Sequence, residues 1–164
     1  MVDEKRPGIG GLTSSFKEAL SGIPDGSKVV FTGSVAVCTP FAELLAYAVK
    51  DRSFKMVYVP MANPEMARAM SWHQGIGFTV EGSAADPSAP SAIVVLGGLA
   101  MPKFGCPITD VRAMIEKLSS GGRPLMVGVC FMHIFQRSGW ADELSFDFLI
   151  DAVMEVEMAR AARP

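Results

Sequence analysis

Three side chains near the ends of predicted strands have the chemistry of a reactive or metal-binding site: Cys38, Cys130 and His133. The stretch Cys130-Phe131-Met132-His133 places a thiol and an imidazole three residues apart, close enough on a helical turn to share a proton or to bind one metal ion. Cys38 lies just before a predicted helix, where the helix dipole would favour thiolate over thiol and suit a nucleophile. Together these residues are typical of a thiol enzyme or of a Cys-Cys-His metal site.

Ordinary packing is the alternative interpretation of the same residues. Cysteine is among the most buried residue types, so Cys38 also fits as a small side chain that fills the space under a turn. A single C-x-x-H without a second closely spaced ligand pair is half of a zinc site at best, so we predict no metal ligands. The sequence identifies no cofactor.

Glycines follow two of the predicted strands, in the position where a backbone could approach a ligand. Gly33 and Ser34 come directly after the first strand, and Thr39 then begins a helix whose N-terminus favours an anion. Gly97 and Gly98 follow the fourth strand and expose peptide groups that a side chain would cover. Plain tight turns are the alternative, because the chain lacks both the G-x-G-x-x-G pattern after a strand and the P-loop pattern.

The elements that position these residues alternate between apolar strands and amphipathic helices. Hydrophobic periodicity predicts strands at 28–32, 54–60, 78–81, 92–96, 124–129 and 148–156, and helices at 12–21, 40–49, 63–75, 108–118 and 133–138. In the second helix Thr39 is the expected N-cap and Pro40 the first helical residue. His73 would lie in the last turn of the third helix, where a cation complements the dipole. The third strand is expected at an edge or antiparallel, because the loop after it has no crossover helix.

This alternation predicts a single domain over residues 1–164 with a Rossmann-like three-layer α/β/α fold and a mostly parallel sheet of five to six strands. Ligands in such folds bind beyond the carboxyl ends of the strands, at the point where the order of winding reverses. If the first strand lies beside the fourth, the loops at 33–39, 97–101 and 130–133 meet there.

The composition excludes several classes of function. The net charge is −2 and the 15 basic residues are scattered, so no nucleic-acid partner is expected. No apolar stretch reaches the ~20 residues that span a bilayer, and the chain begins with charged residues rather than a signal peptide, so we expect a cytoplasmic protein without a membrane partner. Three cysteines do not suit a disulfide scaffold. A hydrophobic fraction of 49% predicts exposed apolar surface and, from it, a homodimer.

Four stretches carry a resemblance to a known family: GSVAVCTPFAELLAYAV, VVLGGLAMPK, VGVCFMHIFQRSGW and FDFLIDA. The chain resembles, from the first strand through Ala152, a family of archaeal and largely methanogen proteins known only as a domain of unknown function. That family is similar to Rossmann-like α/β proteins, which implies the same fold here. The resemblance implies no activity, cofactor or catalytic residue.

The function expected from these observations is the binding of a small anionic ligand, such as a nucleotide or a phosphorylated metabolite. Gly33, Ser34 and Thr39 would hold the anion, and Gly97 and Gly98 would line the opposite wall. Cys130 and His133 would then close the pocket. Two alternatives remain: a thiol enzyme or metal-binding protein that uses Cys38, Cys130 and His133, and a non-catalytic subunit that binds a partner through apolar surface.

Overall fold

The computed structural model describes residues 4–161. Its α-helices are α1 (Gly8–Ala19), α2 (Thr39–Ala48), α3 (Ile108–Leu118), α4 (Ile134–Ser138) and α5 (Trp140–Glu143). Its strands are β1 (Lys28–Gly33), β2 (Lys55–Pro60), β3 (Arg68–His73), β4 (Gly77–Ala84), β5 (Ala92–Leu96), β6 (Leu125–Phe131) and β7 (Phe148–Ala152). Strands and helices alternate along most of the chain, as the sequence predicts.

All seven strands belong to one sheet with the order β4-β3-β2-β1-β5-β6-β7. Five strands run parallel to one another: β2, β1, β5, β6 and β7. β3 is antiparallel to β2, and β4 is antiparallel to β3. β1 therefore lies beside β5, which is the condition under which the three loops meet, and β4 is an antiparallel edge strand, as expected for the third predicted strand. The order of winding reverses between β1 and β5, where the crevice of an open α/β sheet is expected.

The predicted helix over 63–75 is wrong, and this is why the sheet has seven strands instead of five to six. Only Pro64–Met66 forms a short 3-10 turn, after which the chain enters β3. β3 pairs with β2 and, across a turn that contains Gly75 at φ 79°, with β4. The apolar residues of this stretch fit a helical spacing, but pairing between two strands outweighs local propensity. His73 consequently lies at the end of a strand and contacts Glu81 of β4.

Alternate side chains of the central strands pack on opposite faces of the sheet. Val29 and Phe31 join the core under α1 and α2, whereas Val30 joins the core under α3, α4 and α5. In the neighbouring strand β5, Ile93 and Val94 alternate between the two faces in the same way. These two side chains and the three of β1 are fully buried. Burial on both faces explains why these strands are continuous apolar runs in the sequence.

The structure changes two boundaries that matter for the site. Cys38, and not Thr39, is the N-cap of α2, and no side-chain hydrogen bond caps that helix. β7 ends at Ala152, although the alternating pattern predicts a strand as far as residue 156, and the residues that follow are exposed. Among the described residues no helix is both long enough and apolar enough to cross a membrane.

Candidate functional site

The turns after β1 and β5 lie side by side and make direct contact through Cys38. A Cβ atom on Gly33 would lie 2.4 Å from Cys38 Cβ, and a Cβ atom on Gly98 would lie 2.4 Å from Cys38 Sγ. Real Cβ atoms do not approach other atoms this closely, so both positions require glycine. The Cys38 side chain is buried and fills the space under the turn.

The turn after β5 makes a matching contact with β6. A Cβ atom on Gly97 would lie 2.6 Å from Cys130 Cβ and 2.7 Å from Ile134 Cγ2. The loops after β1, β5 and β6 therefore meet at the carboxyl edge of the sheet. The interior of their junction is filled by Cys38 and Cys130, so an external ligand has access only to its outer rim.

Ser34 and Thr39, the expected side-chain contacts to an anion, differ in exposure. Ser34 is fully buried, and its Oγ lies 3.3 Å from Cys38 Sγ. Its carbonyl oxygen accepts hydrogen bonds from Tyr58 Oη (2.9 Å) and from the Cys38 N–H (3.2 Å). Burial raises the pKa of Tyr58 well above its usual value. Thr39 is half-buried at the start of α2, so Ser34 belongs to the packed interior and Thr39 to the rim.

Cys130 and His133 are linked through Asp151 and not by a direct hydrogen bond. Cys130 and Asp151 are register partners on β6 and β7, and Cys130 Sγ donates a hydrogen bond to Asp151 Oδ1 (3.5 Å). The same oxygen accepts from the backbone N–H of His133 (3.1 Å), while Asp151 Oδ2 lies against His133 Nδ1. Among the described residues that imidazole is the only polar group at the buried Oδ2 atom.

The two members of this pair differ in exposure. The Asp151 side chain is 13% exposed, whereas the His133 side chain is 58% exposed. The carboxylate therefore anchors one edge of the imidazole and leaves the rest of the ring in solvent. A carboxylate only accepts hydrogen bonds, so Nδ1 can bond to Asp151 Oδ2 only as an N–H donor.

Sequence reasoning missed Asp151 as a site residue, since it stands alone in an alternating apolar strand. The available signal was its position in the pattern: Asp151 is the one charged residue within β7. A lone carboxylate inside an otherwise apolar strand needs a partner, and only the register of β7 on β6 shows which one.

Strained backbone is concentrated at the same edge of the sheet. Seven non-glycine residues in the described part of the chain have positive φ, and five of them lie in loops at the carboxyl ends of β1, β2 and β6: Ala36, Met61, Ala62, Met132 and His133. Such conformations cost about 1–3 kcal/mol each and cluster at functional sites. The left-handed Met132 and His133 turn the chain sharply, so that the imidazole reaches back to β7.

The environment of Cys130 does not favour a nucleophilic thiolate. Burial raises the pKa of Cys130 to about 12, and the neighbouring Asp151 carboxylate adds to the increase. The thiol is therefore protonated at neutral pH and acts as a hydrogen-bond donor. Within residues 4–161 no group of three or more His, Cys, Asp or Glu side chains is arranged to hold a metal ion.

Two open hollows of about 410 and 430 Å³ lie away from the loop junction. The first lies between the end of α3 and α5, at the amino end of β6, and includes Arg112 and Arg123. The second lies between α3 and the segment after β2, beside Met61 and Lys117. Neither hollow includes His133 or Asp151.

The chain is therefore a mixed α/β protein with a mostly parallel seven-stranded sheet and a candidate site at its carboxyl edge. It belongs to the family described as "Uncharacterized protein conserved in archaea (DUF2124)", whose model matches residues 7–155. This confirms the family resemblance of the sequence.

Relatives of known sequence and structure support this assignment. An uncharacterized protein from Methanocaldococcus jannaschii is 37% identical over 150 residues, which cover 90% of this chain and 89% of that protein. One from Methanothermobacter thermautotrophicus is 37% identical over 137 residues and 84% of each chain. A crystal structure of a protein of unknown function from Methanothermobacter thermautotrophicus matches with a TM-score of 0.85 and 31% identity over 98% of both chains.

Proposed function

We propose that this protein binds a small anionic molecule, such as a nucleotide or a phosphorylated metabolite, over the carboxyl ends of β1, β5 and β6. The helices on both faces of the sheet support a Rossmann-like three-layer arrangement, in which this edge is the usual ligand position. The proposal keeps the location expected from the sequence and changes the roles of the residues there.

The observation that carries the proposal is the His133–Asp151 pair. With Nδ1 against a nearly buried carboxylate, the half-exposed imidazole has Nε2 left for a ligand, and Nε2 donates a hydrogen bond only when the ring is protonated and positively charged. The ring lies in the turn after β6, where Met132 and His133 both adopt the unfavourable left-handed backbone conformation. The protonated ring can donate from Nε2 to an anion, and the Asp151 carboxylate beside it offsets part of the charge of the ring.

The first turn of α2 supplies the second contact in this proposal. The Cys38 N–H already donates to the Ser34 carbonyl and Pro40 has no N–H, so the available main-chain donors of this turn are those of Thr39 and Phe41, where the helix dipole favours negative charge. Val35, Ala36 and Val37 are exposed just before it, so the rim is open to solvent. Gly33, Gly97 and Gly98 contribute by allowing the three loops to pack closely, and not by touching the ligand.

A thermal-shift assay against nucleotides, phosphorylated metabolites and small carboxylates tests the proposal. A ligand present at about 100 times its Kd should raise the free energy of unfolding by about 2.7 kcal/mol. The His133→Gln variant should lose this stabilisation at the same ligand concentration. The matched control is His73→Gln, because His73 also contacts a carboxylate, that of Glu81, but lies on the β3–β4 hairpin.

Two results would contradict the proposal. The first is the absence of any stabilising anion across the panel, and the second is equal loss of stabilisation in the His73 and His133 variants.

A further inference from the structure

We propose that a second copy of this chain binds to the open edge of the sheet at β7. In this dimer residues 148–156 of the two copies pair as antiparallel strands about a two-fold axis at Ala152. The inference goes beyond the ligand site, because it assigns a partner to a different surface and does not depend on any ligand.

The two edges of the sheet are not equivalent. At the β4 edge the Val80 N–H donates to Glu43 Oε1 of α2 at 2.9 Å, so a side chain of the same molecule already satisfies part of that edge. At the β7 edge no side chain of the described residues makes a comparable bond to the outer main-chain groups. An edge with unsatisfied main-chain groups is a template for another strand.

The direction of the main-chain groups determines which residues would make the new bonds. The Ala152 carbonyl accepts a hydrogen bond from the Met132 N–H, so the main-chain groups of Ala152 point towards β6. Because these groups alternate along a strand, those of Asp151 and Val153 point to the open edge. An antiparallel partner would bond to these odd-numbered residues and place even-numbered residues opposite one another.

In this register one face of the strand pair is apolar, and the other face combines apolar and acidic residues. With Ala152 opposite its own copy, Phe148 lies opposite Val156 and Ile150 opposite Met154, so one face of the new pair is entirely apolar. On the other face Leu149 lies opposite Glu155, and Asp151 lies opposite Val153 of the partner subunit. A shift by one residue would mix these two faces.

Several side chains of this segment are exposed in the isolated chain. Five apolar side chains from β7 onward are 42–87% exposed: Phe148, Val153, Met154, Val156 and Met158. The segment after β7 is neither helix nor strand, although its alternation of apolar and acidic residues is typical of a strand. A partner strand supplies the hydrogen bonds that such a segment needs in order to become one.

The area involved sets the expected strength of association. Four of the five exposed apolar side chains lie within residues 148–156, and their exposed fractions add up to a little over two complete side chains per copy, or roughly 200 Å² of apolar surface. A stable interface buries about 800 Å² per partner. Pairing of the main chains buries additional area, but the total stays below that of a stable interface. We therefore expect a weak dimer with a Kd in the micromolar range.

Sedimentation velocity over a range from low to high micromolar protein tests the proposal. The wild-type chain should shift from monomer to dimer across this range. The double variant Met154→Asp/Val156→Asp should remain monomeric, and the change should not affect folding because both residues lie outside helices and strands. Ile76→Asp is the matched control, since Ile76 is 76% exposed on the β3–β4 turn, and it should dimerise like the wild type.

Cysteine cross-linking tests the register. Residues directly opposite each other in a pair that lacks mutual hydrogen bonds have Cα atoms about 4.5 Å apart, a separation that a disulfide accepts. In a Cys106→Ser background, Ala152→Cys should therefore form a covalent dimer on mild oxidation, and Ile76→Cys should not. A wild-type chain that stays monomeric, a double variant that still dimerises, or an Ala152→Cys chain that does not cross-link would each overturn the proposal.

Discussion

Cys130 Sγ donates a hydrogen bond to Asp151 Oδ1 because the two residues are direct register partners on the parallel strands β6 and β7. The thiol and the backbone N–H of His133 together hold one carboxylate oxygen, and the other oxygen contacts the imidazole. Cys130 is thus a positioning residue for Asp151, and Asp151 in turn positions His133. The reactivity of Cys130 and the effect of Asp151 on His133 can therefore be measured separately.

The first prediction concerns the reactivity of Cys130. Because its pKa is raised to about 12, the thiolate fraction at neutral pH is very small, and iodoacetamide should not modify the folded protein at this position. The rate should instead increase about tenfold for each pH unit in the alkaline range. Peptide mapping by mass spectrometry measures the rate, with half-buried Cys106 as the internal comparison. Rapid labelling of Cys130 at pH 7 in folded protein would contradict the account.

The second prediction concerns the glycines at the loop junction. Gly98→Ala should lower the free energy of unfolding by about 1–3 kcal/mol, because the new methyl group would lie 2.4 Å from Cys38 Sγ. Removing that sulfur in the double variant Gly98→Ala/Cys38→Ala should recover part of the loss, with a coupling of about 1 kcal/mol. Chemical denaturation of the four proteins of this cycle gives the coupling directly.

Gly10→Ala is the control for that cycle. No atom lies within 4 Å of a Cβ at this position, and the residue is in α1, so alanine should stabilise the protein by about 0.5–1 kcal/mol. Equal effects of Gly10→Ala and Gly98→Ala would show that close packing is not the reason for glycine at 98.

The third prediction concerns stability at alkaline pH. The pKa of Cys130 is raised from 9.0 to about 12, and that of Tyr58 is raised from 10.0, both chiefly by burial. A group whose pKa is raised on folding stabilises the native state below its unfolded pKa and loses this contribution as the pH increases. The free energy of unfolding should therefore fall above about pH 9, by up to about 1.4 kcal/mol per pH unit for each group.

Tyr58→Phe separates the two groups. It removes the hydrogen bond to the Ser34 carbonyl and should cost about 1 kcal/mol at pH 7. Above pH 10 its stability should fall less steeply than that of the wild type, because one of the two titrating groups is absent. Denaturation curves across this range measure the slopes, and parallel curves for the two proteins would refute the assignment to Tyr58.

The fourth prediction concerns the β4 edge. Glu43→Ala leaves the Val80 N–H without its partner, so the free energy of unfolding should fall by about 1 kcal/mol and the exposed edge should promote self-association. Glu43→Gln retains an acceptor oxygen and should behave like the wild type. Sedimentation and denaturation of both variants test this, and indistinguishable Ala and Gln proteins would refute it.

The sequence predicts an element correctly where the spacing of its apolar residues fits only one type of secondary structure. The apolar runs of β1 and β5 can only be strands buried on both faces, and the helix from Thr39 combines an N-terminal proline with regular apolar spacing. Residues 63–75 carry a spacing that suits a helix equally well, and the pairing of β3 with β2 and β4 decides between the two. That pairing is a long-range property, which local spacing does not contain.

The same limit applies to the candidate site. The sequence predicts that the loops at Gly33, Gly97 and Cys130 meet if the first predicted strand lies beside the fourth, and the strand order of the sheet supplies this condition. Cys38 and Cys130 fill the junction of these loops, and this packing depends on differences of a few tenths of an ångström in the distances between atoms. Residue types alone do not specify such differences. Asp151 could not be assigned to His133 without knowing that β7 lies beside β6.

The most direct test of the central claim is NMR detection of the two histidine imidazoles during titration with inorganic phosphate and with a nucleoside diphosphate. His133 and His73 each contact a carboxylate, so each reports on its own environment. We expect the His133 ring signals to shift with saturation while those of His73 stay constant, and the His133 shift to be lost in Asp151→Asn. Unchanged His133 signals with both anions, or equal shifts of both rings, would contradict the assignment of the ligand site to the carboxyl edge of the sheet.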